Sequence, residues 1–160
     1  MDILDEGLLS LLKNLYHFNV KYIMVGGFAI SLHGFSQITD HFEIWIEDSI
    51  INRKNLRSAL ENNEGIPFDA IERMEFIPGW SSIQLDAGIS LDIMTYLKGF
   101  PQSSFEECYK QASIATIYEL PLYFLHLNSL IEAKKQSGRP KDLIDVIELE
   151  KIKQERDKEL

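Results

Sequence analysis

Residues 39–49 read TDHFEIWIEDS. Within them Phe42, Ile44 and Ile46 alternate with His41, Glu43, Trp45 and Glu47, the period of two that sends successive side chains to opposite faces of a strand. The spacing predicts a strand with one apolar face against a core and one polar face carrying His41 and Glu43 side by side, about 7 Å apart along the chain. Two such side chains can converge on a metal ion, or they can form the solvated outside of an amphipathic strand. The residues alone leave both readings open.

Just upstream, VKYIMVGGFAISLHG (20–34) begins with the buried-strand composition of Tyr22, Ile23, Met24 and Val25. It breaks at Gly26-Gly27 and resumes at helical spacing through Phe28, Ala29, Ile30 and Leu32. Strand, glycine turn and short helix follow. A glycine pair lets the backbone bend sharply and approach a ligand, while the helix after it turns free amides toward an anion. The same pair can also make a tight turn that binds nothing. Ser31 and His33 either face the cleft or cap and pack the short helix. Before this unit, Ile3, Leu4, Leu8, Leu11, Leu12, Leu15 and Phe18 recur every three or four residues, predicting a core-facing helix over 3–18.

Downstream, Asn52 is placed to cap a helix through RKNLRSALE, whose Arg53, Lys54 and Arg57 face solvent or border a cleft, and NNEG ends it. SSIQL and ISLDIMTYL read as two further strands joined by DAG, with Leu91, Ile93 and Thr95 alternating with Asp92, Met94 and Tyr96. Asp92 on so apolar a strand must be edge-exposed, hydrogen-bonded or bound to a cation, because a dry unpaired carboxylate is costly. Ser103 and Glu106 fit a capping box for a short helix that packs Cys108. SIATIYELPLYFL is β-prone and interrupted by Pro121, and Asn128 is placed to cap SLIEAKKQ. SGRPKD then ends one helix and starts another, with Pro140 in its first turn and Leu143, Ile144, Ile147 and Ile152 on one face. Lys134, Lys135, Arg139 and Lys141 form the dense basic cluster of the chain, able to neutralise phosphates if it folds beside the sheet. Residues 151–160 read as a charged, solvated helix end after a single domain over 1–150.

The 160 residues are 45% hydrophobic and 26% charged, which excludes disorder throughout. Sixteen Lys and Arg against 25 Asp and Glu give a formal charge of −9, so extended DNA binding is not expected. No apolar run is long enough to span a membrane, the start lacks the basic region of a signal peptide, and the lone Cys108 suits a reducing compartment. A cytoplasmic protein is expected.

In their order, YIMVGGFAISLHG, TDHFEIWIE, LDIMTYLKG and LIEAKKQSGRPKDLIDV resemble the small nucleotidyltransferase-like proteins of the DNA polymerase beta superfamily, near the bacterial AbiEii-type and other toxin-antitoxin branches. The resemblance covers roughly residues 8–150. It implies an α/β (α+β) fold, a short mixed sheet flanked by helices, and transfer of a nucleoside monophosphate from a nucleoside triphosphate to a protein, RNA or small-molecule acceptor, with a toxin-antitoxin partner. It further implies that Gly26, Gly27 and Ser31 hold the triphosphate, Lys134 and Arg139 offset its charge, and His41, Glu43 and Asp92 take the metal-binding and catalytic positions. The family pattern there is D-x-D plus a third carboxylate, so His41 and Glu43 are departures. Loss of an oxygen ligand at His41 shifts the expected divalent ion from Mg²⁺ or Mn²⁺ toward Zn²⁺, and the extra methylene of Glu43 displaces its carboxylate. Two functions follow: a transferase with an altered metal site, in which His41 ligates or acts as general base, or a catalytically degenerate module that binds nucleotide or a partner.

Overall fold

The computed structural model describes residues 5–159; Ile3 and Leu4 of the expected first helix lie outside them. Helix α1 (Glu6–His17) starts at Asp5, whose carboxylate accepts the Gly7 amide, and buries Leu8, Leu11, Leu12 and Leu15. Strand β1 (Tyr22–Val25) runs directly into helix α2 (Gly26–His33), and strand β2 (His41–Ile46) returns antiparallel to β1. Helix α3 (Ile50–Glu64) leads to β3 (Ser82–Gln84) and β4 (Ser90–Met94); α4 (Phe105–Gln111), the hairpin β5 (Ser113–Ile117) and β6 (Leu120–Phe124), α5 (Leu127–Ser137) and α6 (Pro140–Lys158) follow. The six strands form one mixed sheet in the order β3-β4-β2-β1-β6-β5, with β2–β4 and β1–β6 parallel and the other pairs antiparallel. The fold is thus mixed α+β, a short mixed sheet flanked by helices, as the sequence resemblance implies.

Several local expectations are corrected. Trp45 is not on a solvated face: it is fully buried, packs edge-on against Phe105 and Phe100, and donates its indole N–H to Thr95 O at 2.9 Å. Only the His41 end of the polar face opens to a cleft. The cap of α3 is Ser49, which accepts the Asn52 amide; Asn52 lies inside the helix, buried, and ties Lys21 and Glu47 together through three hydrogen bonds. Arg53 and Arg57 are neither free nor near the cleft. Arg53 binds Asp48 and the carbonyls of Ile71 and Met74, and Arg57 binds Glu61, Asp69 and Glu72. The Ser103–Glu106 box does not form, since Ser104 precedes α4 without a side-chain cap. His126, not Asn128, caps α5 by accepting the Asn128 amide. Pro121 does not interrupt the β-prone stretch. The chain turns at Tyr118 and Glu119, both at positive φ (48° and 67°), and Pro121 lies on β6 opposite Thr116, away from the single Met24–Phe124 pairing with β1.

Helix α6 differs most from its sequence pattern. Leu143, Ile144 and Ile147 are exposed, whereas Asp142, Asp145, Val146 and Leu149 face inward. The helix continues to Lys158, Ile152 packs on the core, and Arg156 reaches the buried His33 ring and carbonyl at 3.2 Å.

Candidate functional site

The site grows from two adjacent parallel strands. In the β2–β4 register Glu43 is the Cα partner of Asp92 and His41 of Ser90, so all four side chains leave the sheet on one side. The chain enters α2 where β1 pairs with Glu43, and Gly26 sits there at φ +71°, a conformation that favours glycine. A Cβ on Gly26 would overlap Glu43 Oε2, so glycine is also required by the carboxylate lying on it. A cleft of about 250 Å³ opens between this turn, the strand ends and the α5–α6 junction. It is lined by Gly26, Gly27, His41, Glu43 and Asp92 on one side and by Lys134, Arg139, Lys141 and Asp145 on the other. Seven of the eight residues singled out in sequence therefore meet. Ser31 does not line the cleft; its hydroxyl accepts the Gln37 amide at 2.9 Å and fixes the loop that brings Gln37, Ile38 and Thr39 to the rim.

The carboxylates spend their lone pairs on the protein itself. Asp92 Oδ2 is 2.8 Å from His41 Nδ1, and Asp92 Oδ1 accepts the hydroxyls of Ser82 (2.5 Å) and Ser90 (3.3 Å). The Asp92 hydrogen bond raises the His41 pKa above its ordinary 6.5, burial opposing and the charges of Asp92, Asp40 and Glu43 assisting. The Glu43 carboxylate lies on the Gly26-Gly27 turn, at the open N-terminus of α2 where an anion would otherwise bind. Burial raises the Glu43 pKa, the charge of Asp92 raises it further, and Lys134, the Gly27 amide and His41 hold it back.

On the opposite wall, Lys134 Nζ lies 3.2 Å from both Asp142 Oδ1 and Asp145 Oδ2. Asp142 is fully buried and also accepts Arg139 and Ser137. Burial alone would raise its pKa, but the hydrogen bonds from Arg139, Ser137 and Lys134 together hold it well below the usual carboxylate range. Asp145 Oδ2 is buried beside the Lys134 charge without an aligned hydrogen bond. Asp142 and Asp145 were not among the expected site residues. Their i,i+3 spacing after the Arg139-Pro140 junction was the available signal, masked by the apolar Leu143, Ile144 and Ile147 pattern.

The sequence resemblance implies a divalent metal among His41, Glu43 and Asp92. Among the described residues no group of three or more His, Cys, Asp or Glu side chains is arranged to hold a metal ion. Hard cations such as Mg²⁺ want about six oxygen ligands. Here one of three positions offers an imidazole bonded to Asp92, and a second carboxylate is turned onto the glycine turn. This donor set does not fit a resident Mg²⁺ or Mn²⁺.

No family model matches the chain, and no curated protein matches its sequence. Among the described residues no helix is long and apolar enough to cross a membrane. The case for function therefore rests on the cleft.

One prediction arises from the His41–Asp92 pair. By ¹H–¹⁵N NMR, His41 is expected to titrate above 6.5 in the native chain and to fall back toward 6.5 in Asp92→Asn. Since the folded pKa is the raised one, the pair contributes stability fully below about pH 6.5 and loses it as pH rises through the folded value. A His41 titration unmoved by Asp92→Asn would remove Asp92 as the cause.

Proposed function

We propose that the protein is a nucleotidyltransferase-like module that binds a nucleotide in this cleft without performing metal-dependent nucleotidyl transfer. The observation that carries the reading is that Asp92 is an internal hydrogen-bond acceptor for His41, Ser82 and Ser90, while the Glu43 carboxylate lies on the glycine turn against Gly26. Two-metal transfer needs those oxygens on the ions that activate the nucleophile and steady the pyrophosphate. Arg139 and Lys141 at the exposed rim, with His41 in its protonated form, supply positive charge for phosphates. Any divalent cation would enter with the nucleotide. A protein or RNA acceptor and a toxin-antitoxin partner belong to the sequence resemblance alone.

The test is calorimetric titration with ATP, GTP, CTP and UTP, with Mg²⁺ and with EDTA, beside labelled-triphosphate transfer to proteins and RNA. Saturable binding that survives EDTA, with no transfer, is expected. Absence of all binding sinks the reading, and transfer abolished by Asp92→Asn replaces it with catalysis. A second reading is favoured by the half-exposed His41 held by Asp92: His41 as a general base for transfer.

Because the Glu43 carboxylate lies on the glycine turn, it competes with a bound phosphate. Glu43→Gln, which removes the charge and keeps the shape, is expected to tighten triphosphate binding by about tenfold, roughly 1.4 kcal/mol. Unchanged or weaker affinity in the same titration would mean that Glu43 does not compete with the ligand.

A further inference from the structure

A second pocket, of about 310 Å³, lies at the other end of β1 from the glycine turn, where Tyr22 begins the strand. We propose that it binds a proline-rich segment of a partner protein in the extended polyproline conformation. Four phenol rings line it, from Tyr16 on the last turn of α1, Tyr22 on β1, Tyr109 on α4 and Tyr123 on β6, and Pro121 adds a fifth ring. Tyr109 and Tyr123 stack at 5.0 Å, and Phe105 stacks behind Tyr109 at 5.7 Å. The inner rings are thus fixed before any ligand arrives, which reduces the ordering cost of binding.

The rim is set by the end of α1. Asn19 takes φ +56° and the Val20 amide returns to Leu15 O at 2.9 Å, closing the helix so that Tyr16 stands 55% exposed with Asn19 beside it. Charge then selects the ligand. Among the described residues no carboxylate lines the pocket, and its cation, Lys21, already lies over the Tyr109 ring at 4.9 Å and pairs with Glu106 and Glu47. An aromatic cage for an external ammonium is therefore occupied from within. The exposed Tyr16 phenol and the Asn19 side-chain amide are donors at the rim, and a proline-rich chain offers carbonyl acceptors with few N–H groups of its own. Its rings pack on aromatic faces and its extended form is already ordered.

The experiment is fluorescence anisotropy of a labelled polyproline peptide of about ten residues, titrated with the full chain, Tyr16→Ala and Tyr123→Leu. Saturable binding is expected, weakened about tenfold by either substitution and not displaced by adenosine or benzyltrimethylammonium. Tyr16 is exposed, so its truncation leaves folding intact and decides the matter should Tyr123→Leu misfold. No saturable signal, or binding indifferent to Tyr16→Ala, overturns the proposal. Displacement by benzyltrimethylammonium would reveal a cation cage, and displacement by adenosine a base-stacking slot; each overturns it in favour of that ligand. Nucleotide titrations of the same variants report on the cleft separately, so the failure of one site is not mistaken for failure of the other.

Discussion

Replacing both His41 and Glu43 with Asp is expected to make triphosphate binding depend on Mg²⁺, with affinity rising by at least about tenfold on metal addition, whereas the native chain is expected to bind alike with Mg²⁺ and EDTA. His41→Asp removes the imidazole from Asp92 Oδ2 and returns an oxygen ligand to the strand. Glu43→Asp withdraws the carboxylate by about 1 to 1.5 Å, off the Gly26-Gly27 turn, leaving the amides of that turn for phosphate. The paired register of residues 43 and 92 then sets two carboxylates, and the new one at 41, on the same side of adjacent strands. Calorimetry with and without Mg²⁺ reads the outcome directly. If metal dependence does not appear, the altered residues are not what separates this cleft from a metal site, and the proposed loss of transfer chemistry loses its cause.

The sheet was legible because its signals are local. Alternation through residues 41–46 and 90–94 marks two strands, and a strand composition broken by Gly26-Gly27 marks the third and its helix. The site was legible to the same depth: once those strands pair in parallel, His41, Glu43 and Asp92 must share a face. Three things were not, each because a non-local contact overrides a local preference. Trp45 alternates with Phe42 and Ile44 but is buried, since Phe105 and Phe100 arrive from far along the chain to cover it. Asn52 looks like a cap but spends its amide on Lys21, which no helix-start rule foresees. On α6 the apolar stripe 143, 144 and 147 predicts the buried face, yet the helix is rotated so that Asp142 and Asp145 meet Lys134 from α5.

That rotation makes Lys134 the side chain whose loss costs most. Lys134→Met, matched in length and without charge, is expected to destabilise the fold by about 3–5 kcal/mol at neutral pH, the penalty for removing one partner from a buried ionic cluster. Asp142 keeps Arg139 and Ser137, so the damage falls on Asp145, which is 3% exposed and whose one direct ion pair among the described residues is with Lys134. The deficit of Lys134→Met is read by urea unfolding at neutral pH. The folded pKa of Asp142 is depressed, and the stability it contributes is present above about pH 3.9 and lost as pH falls through the folded value. Adding Asp145→Asn to Lys134→Met removes the stranded charge and should recover most of the loss. A deficit below about 1 kcal/mol, or one the second substitution does not relieve, would mean that α6 is held by Val146, Leu149 and Ile152 alone. The same double variant leaves Arg139 and Lys141 at the rim, so retained nucleotide binding would assign the phosphate contacts to those two side chains and give Lys134 a purely architectural role.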